Sequence, residues 1–261
     1  MSALYAETSG TGPPLVLLHG WGMNLRVFDP LRAALAPHFT VTALDLPGHG
    51  RSPWQDMPGN AQLLSRLAAQ LPRASTLVGW SLGGQLGMQL AADPALAVQR
   101  LVLIASTPRF VCGTDWPHGL PDRTVHDFAA QLARDPEGTV GSFLELQVRG
   151  SAAGSAVLAS LTRALREHGS AQPAALAFGL GLLQQNDLRA LARSLPVAAL
   201  VIGGERDRVT PPQAAQALAR LLPRAQLRLL RRAGHAPFLS HCDEVLAAVL
   251  EPAAQRLGGA A

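Results

Sequence analysis

The sequence predicts an α/β fold in which a mostly parallel central sheet is flanked by helices and interrupted by an inserted all-helical segment. Three observations predict it. Short apolar runs alternate with stretches of helical apolar spacing at both ends of the chain, the pattern of a parallel sheet covered on both faces. Over residues 109–187 that alternation stops and helical spacing stands alone. The chain has 261 residues, 48% of them hydrophobic, which suits one large α/β core or a core with an inserted subdomain.

Each element follows from its residues. Pro14-Leu15-Val16-Leu17-Leu18 reads as a buried strand, and residues 27–35 have helical spacing. The pairing repeats at 40–44 with 61–71 and at 75–78 with 82–91, and 100–105 adds a further strand. After Ser106-Thr107-Pro108 the spacing predicts helices over 125–134, 140–149, 156–167 and 174–185, separated by polar turns. The strand rhythm resumes at Val197-Ala198-Ala199-Leu200-Val201-Ile202, then a helix over 212–221 and a strand over 226–230. Residues 1–108 and 188–261 therefore form the core, and 109–187 is expected as a cap over the sheet's ligand-binding edge.

Composition narrows the function classes. All 22 basic residues other than histidine are arginines, set against 18 acids for a formal charge of +4. The arginines are scattered and not interleaved with aromatics, so no nucleic-acid partner is expected. Cys112 and Cys242 match neither a metal-ligand pattern nor a disulfide framework, and neither a metal nor an organic cofactor is expected. The first residues lack a basic stretch followed by an apolar one, and no apolar run reaches the roughly 18 residues of a membrane span. The expectation is a cytoplasmic, monomeric enzyme without a membrane partner.

Chemistry is concentrated at Gly79-Trp80-Ser81-Leu82-Gly83, between the strand at 75–78 and the helix at 82–91. A G-x-S-x-G in that context makes a strained turn that presents the serine hydroxyl, with glycines where a Cβ would collide with neighbouring elements. A serine needs a histidine to take its proton and a carboxylate to orient the histidine, in the chain order Ser, acid, His. Asp207 sits just past the strand ending at Gly203-Gly204, in a loop where Thr210 and Pro211 resemble a helix N-cap and first turn. His235 follows the strand at 226–230. Both fall at the carboxyl ends of strands, where open parallel sheets bind ligands. Glu205 is the rival acid but lies nearer the strand and reads as a solvated loop residue. His19 is expected to brace a turn, Asp45 to position neighbouring loops, and His38, His118, His126, His168 and His241 show no partner pattern. Oxyanion donors are expected from the backbone N–H groups of Leu82 and of Trp21 in His19-Gly20-Trp21-Gly22.

Several runs together resemble the α/β-hydrolase superfamily over the whole chain, and more narrowly the pimeloyl-[acyl-carrier protein] methyl ester esterases of biotin synthesis. They are Leu17 to Asn24, Asp45-Leu46-Pro47-Gly48-His49-Gly50-Arg51-Ser52, Gly79 to Gly84, Phe143-Leu144-Glu145-Leu146-Gln147 and Ala233-Gly234-His235-Ala236-Pro237-Phe238. Trp80, the Phe-Leu-x-Leu-Gln run and Ala-Pro-Phe after the histidine are the more particular features. The resemblance implies an α/β-hydrolase fold, hydrolysis of a pimeloyl methyl ester held on an acyl-carrier protein, and substrate contacts from Trp21, Ser81, Leu82, Phe143, Leu144, Glu145, Leu146, Gln147 and His235. A cap that docks an acidic carrier should be basic, yet residues 109–187 hold six arginines against eight acids, with only Arg149, Arg163 and Arg166 clustered. Two other readings stay open from the residues: a general carboxylesterase or carbon–carbon bond hydrolase of the same fold, and a non-catalytic ligand-binding module.

Overall fold

The computed structural model describes residues 3–55 and 59–252. Among these, seven strands make one sheet in the order β1-β3-β2-β4-β5-β6-β7, formed by β1 (Ala6–Ser9), β2 (Pro14–Leu18), β3 (Thr40–Leu44), β4 (Thr76–Trp80), β5 (Arg100–Ile104), β6 (Ala198–Gly204) and β7 (Ala225–Leu230). Only β1 is antiparallel, pairing Ala6 with Leu44 and Ser9 with Val41 along the edge. Its residues Ala-Glu-Thr-Ser lack the apolar run that marks the inner strands, because an edge strand with one neighbour is only half-buried.

Inside the sheet, side chains alternate between two apolar layers. Val16, Leu18, Leu77, Leu101, Leu103 and Val201 enter one, and Leu15, Leu17, Val78, Val102, Leu200 and Ile202 the other. The first layer is closed by α2 (Asn60–Ala68), α3 (Leu82–Ala91), α8 (Arg189–Ser194) and α9 (Pro212–Leu221). The second is closed by α1 (Asp29–Leu35), α10 (Pro237–Ser240) and α11 (Cys242–Leu250). Burial on both faces is why β2, β4, β5 and β6 read as continuous apolar runs.

Between β5 and β6 lie α4 (Asp122–Arg134), α5 (Pro136–Val148), α6 (Gly154–His168) and α7 (Pro173–Gln185). Arg109 and Asp187 pair as an isolated antiparallel bridge at the foot of this segment, reinforced by the Leu188 N–H donating to Pro108 O at 2.7 Å. The helices start earlier than their apolar spacing indicates because Pro136 and Pro173 sit in first turns, where a missing N–H costs nothing. Asp135 caps α5 through Gly138 N at 2.9 Å.

Strand order positions the site. The chain steps from β2 outward to β3 and then back across β2 to β4, so the topology reverses between β2 and β4. Ligands of open α/β sheets sit at such a reversal, beyond the carboxyl ends of the strands. Leu18 pairs with Gly79 in the parallel register, which sets the loop after β2 beside the turn after β4.

Candidate active site

Ser81 occupies the turn between β4 and α3 with φ 55° and ψ −117°. A positive φ at a residue bearing a Cβ costs on the order of 1–3 kcal/mol and persists only where the surroundings enforce it. Here the enforcement is steric. A Cβ at Gly83 would lie 2.1 Å from Leu18 O, and one at Gly79 would lie 2.4 Å from Gly83 O. Strand and helix therefore approach as closely as two backbones allow. Ser81 N–H donates to Ile104 O at 2.9 Å, and Ser106 Oγ donates to Ser81 O at 2.9 Å, so the neighbouring strand holds the turn from the far side.

His235 is fully buried in the loop after β7. Its Nδ1 lies 2.8 Å from Asp207 Oδ2. An ionised carboxylate only accepts, so Nδ1 carries the hydrogen and Nε2 is left with its lone pair. Nε2 is buried and has no hydrogen-bond partner. Ser81 Oγ does not hydrogen-bond it in this arrangement; serine–histidine bonds are commonly long before substrate arrives and tighten in the reacting complex.

Asp207 is locked from all sides. Oδ1 accepts from Val209 N at 2.8 Å and Thr210 N at 2.9 Å, while Oδ2 accepts from Thr210 Oγ1 at 2.8 Å besides the imidazole. Thr210 is thus not the N-cap of α9, whose flanking residue is Pro211 with no side-chain cap. Its hydroxyl donates to the ionised carboxylate, a charge-assisted bond, instead of accepting from a helix N–H as a cap would. Glu205, the rival acid, is exposed.

The histidine loop is fastened by two parts of the chain far from it in sequence. Trp80 Nε1 donates to His235 O at 2.8 Å, and the two rings stand 5.7 Å apart. Phe238 packs edge-on against Trp80 at 5.1 Å and, tilted, against Phe28 at 5.0 Å. The tryptophan before the serine and the phenylalanine after the histidine are therefore one packed unit that ties the Ser81 turn to the His235 loop. From the inserted helices, Gln147 O accepts the His235 N–H at 3.1 Å, and a Cβ at Gly234 would lie 2.8 Å from that carbonyl.

The loop after β2 lies against the serine: a Cβ at Gly20 would meet Trp80 Cε3 at 3.1 Å and Ser81 Cβ at 3.3 Å. His19 braces it, with Nδ1 donating to Gly20 O at 2.8 Å and Nε2 accepting from Leu46 N at 2.9 Å. Burial, helped by the neighbouring His49, holds the His19 imidazole well below its usual range, so both bonds are made by the neutral ring. Leu82 N–H begins α3 and has no helical acceptor behind it. Neither it nor Trp21 N–H is taken up by a hydrogen bond among the described residues.

The residues expected to contact substrate from α5 divide. Phe143 and Leu146 line an apolar pocket with Trp21, Phe128, Leu180 and Leu183. Trp21 meets Phe143 and Phe128 edge-on at 5.2 and 5.3 Å, and its indole donates to Leu176 O at 2.9 Å. Leu144 instead packs into the opposite apolar layer, and Glu145 is exposed, because successive helical residues point about 100° apart. Gln147 is buried behind the histidine loop with both side-chain amide atoms unpartnered. α7 closes the pocket tightly, since a Cβ at Gly179 would touch Trp21 Cδ1 at 3.0 Å and Leu82 Cδ2 at 3.3 Å.

One contact had no sequence signal. His168, at the end of α6, donates from Nε2 to Asp45 Oδ2 at 2.8 Å, both side chains buried, while Asp45 also accepts from Leu25 N and Arg51 N. Asn24 Nδ2 donates to Ala164 O and Gly169 O, each at 2.9 Å, on the same helix end. These bonds tether the inserted helices to the core. Among the described residues no three histidine, cysteine or acidic side chains are grouped to hold a metal ion, and no helix is long and apolar enough to cross a membrane.

Comparison with known proteins adds to this geometry. A model of the alpha/beta hydrolase family matches residues 15–248. The chain is 42% identical over 244 residues to a pimeloyl-[acyl-carrier protein] methyl ester esterase of Nitrosomonas europaea, covering 94% of this chain and 97% of that one. A Stenotrophomonas maltophilia protein of the same name is 43% identical over 247 residues, covering 94% and 95%. Among solved structures, a bromoperoxidase from Bacillus anthracis superposes with TM-score 0.84 at 23% identity, and an esterase from Exiguobacterium antarcticum with 0.84 at 21%, each covering 95% of this chain and 94% of the other. At those identities the structures share the fold and no more.

Proposed function

The chain belongs to the alpha/beta hydrolase family, and on that premise we propose that it is a serine carboxylesterase that cleaves the methyl ester of a pimeloyl group carried on acyl-carrier protein, in biotin synthesis. The observation that carries the reading is His235, its Nδ1 held by Asp207 and its Nε2 buried with a free lone pair at the site where the Ser81 turn is fastened.

Ser81 Oγ attacks the ester carbonyl and gives its proton to His235 Nε2. Asp207 holds the tautomer and offsets the charge of the imidazolium. The N–H groups of Leu82 and Trp21 receive the developing oxyanion. When the tetrahedral adduct collapses, the imidazolium returns the proton to the departing methoxy oxygen, methanol leaves, and an acyl-serine remains. Water then loses a proton to Nε2 and attacks the acyl-serine, releasing the carboxylate and restoring the serine hydroxyl. The apolar wall of Trp21, Phe143 and Leu146 suits a methylene chain, and residues 109–187 act as the cap that supplies Phe143 and Leu146. Leu144, Glu145 and Gln147 belong to the same helix without lining that pocket, so their contribution is to place it.

Substituting Ser81→Ala should lower turnover of a methyl ester by several orders of magnitude, as nucleophile removal does. The decisive assay is rescue of a biotin-requiring host that lacks its own methyl esterase. The wild-type chain should restore growth and Ser81→Ala should not; growth with both would refute the mechanism, and growth with neither would refute the substrate.

A further inference from the structure

His235 is gripped at both of its peptide groups, and the two grips come from different parts of the fold. Its carbonyl is held from the core by Trp80 Nε1 at 2.8 Å, and its N–H is held from the inserted helices by Gln147 O at 3.1 Å. The imidazole is thus suspended between sheet and cap, so its aim depends on where the end of α5 lies. A surface corner between two helices has few contacts of its own and opens easily unless it is tied down.

The corner is residues 149–153, where Gly150 takes a left-handed φ of 79° and the chain passes from α5 into α6. Two bonds tie it to the loops that carry Asp207 and His235. Arg206 Nη1 donates to Gly150 O at 2.9 Å, while the Arg206 backbone N–H donates to Ala233 O at 2.9 Å. No backbone N–H among the described residues reaches Gly150 O, so the guanidinium is the group that satisfies it. On the other side, Ala152 N–H donates to Arg232 O at 3.3 Å. Arg232 has φ 61°, a left-handed conformation that a residue with a Cβ keeps only where its surroundings impose it. These segments also pack without slack: a Cβ at Gly204 would lie 2.2 Å from Gly234 O, and one at Gly234 would lie 2.8 Å from Gln147 O and 3.2 Å from Ser151 Cβ. A shift of the corner toward the core therefore pushes the histidine loop, and a shift away takes the acceptor off the His235 N–H.

We propose that Arg206 is a positioning residue for the reaction. Its guanidinium fixes the corner between α5 and α6, and the corner keeps Gln147 O on the His235 N–H and the imidazole within reach of Ser81. The proposal rests on the Ser81–His235 mechanism given above. It gives the cap a second task besides walling the pocket, because a cap that lifted at this corner would leave the base held from the core side alone. Arg206 suits the task by its place in the chain. It adjoins Asp207, bonds the histidine loop through its backbone and reaches the cap with its side chain, so one residue joins all three segments.

The test compares Arg206→Ala with Arg208→Ala, which removes the same charge from the same exposed loop without touching the corner. On a short fluorogenic ester, Arg206→Ala should lower kcat by about tenfold, short of the roughly hundredfold that a 1 Å misplacement costs, with KM within about twofold of wild type. Labelling of Ser81 by a fluorophosphonate, which needs the base but no acyl chain, should slow by a similar factor. Hydrogen exchange should rise together in peptides covering 149–153 and 233–236, while the thermal midpoint stays within about 2 °C, as for a surface substitution. Arg206→Lys, which can still donate to Gly150 O, should recover most of the loss, and Arg208→Ala should match wild type.

Wild-type kcat and labelling in Arg206→Ala, an equal loss in Arg208→Ala, a loss confined to KM, or no recovery in Arg206→Lys would each overturn the proposal. So would exchange that rises in the corner and not in the histidine loop. Undiminished ester cleavage by Ser81→Ala would instead overturn the serine mechanism on which the proposal stands.

Discussion

Asp207→Asn tests the site most sharply because every hydrogen bond of the carboxylate is accounted for. Two backbone donors, Val209 N and Thr210 N, converge on Oδ1 at 2.8 and 2.9 Å. An amide nitrogen cannot accept them, so the asparagine oxygen must take that place and its NH2 must face His235 Nδ1 and Thr210 Oγ1. A donor opposite Nδ1 forces the imidazole proton onto Nε2, and a protonated Nε2 cannot take the proton of Ser81. In serine hydrolases this exchange lowers kcat by about 10⁴, equivalent to roughly 5.4 kcal/mol of transition-state stabilisation. The fold should tolerate it, since Thr210 Oγ1 can turn from donor to acceptor and the backbone donors stay satisfied; the stability change should stay near 1–2 kcal/mol. The assay is kcat on a short fluorogenic ester from neutral to alkaline pH, beside thermal unfolding, with Glu205→Gln as control. A properly folded Asp207→Asn enzyme within roughly tenfold of wild type would refute the tautomer argument, and a large loss in Glu205→Gln would transfer the role to the rival acid.

Other expectations concern the frame around the site. Gly83→Ala places a methyl 2.1 Å from a backbone oxygen of the central strand, so the turn must move; activity per folded molecule, normalised by near-ultraviolet circular dichroism, should collapse. His168→Ala removes a buried hydrogen bond to the Asp45 carboxylate, and the loss of roughly 1.5–3 kcal/mol should show as a lower Tm and as new protease cleavage within 109–187; unchanged proteolysis would mean that the Asn24 bonds suffice. His49 is held at about 4, mainly by burial, against an ordinary histidine value near 6.5. The unfolded chain therefore binds the extra proton between those pH values, and stability should fall as pH drops from about 6.5 to 4, by at most roughly 3 kcal/mol from this group. His49→Gln should give a shallower acid limb in urea unfolding, and an identical slope would rule the group out.

Whatever depends on neighbours close along the chain was legible in the residues. Apolar runs buried on both faces mark β2 and β4 to β6, G-x-S-x-G marks the turn, and the loops after β6 and β7 hold Asp207 and His235 in the order the chemistry needs. The edge strand β1 escaped this reading because half-buried Ala-Glu-Thr-Ser carries no apolar pattern, and Thr210 looked like a helix cap because its use by Asp207 depends on how the loop folds back. The rest came from packing between distant segments: Trp80 holds the His235 loop across 155 positions, His168 finds Asp45 across 123, and Phe143 and Leu146 face the pocket while Leu144 and Glu145 turn away. Periodicity and turn chemistry are local and can be read residue by residue. Partners so far apart are chosen by sheet order and helix packing, which no short window of sequence contains.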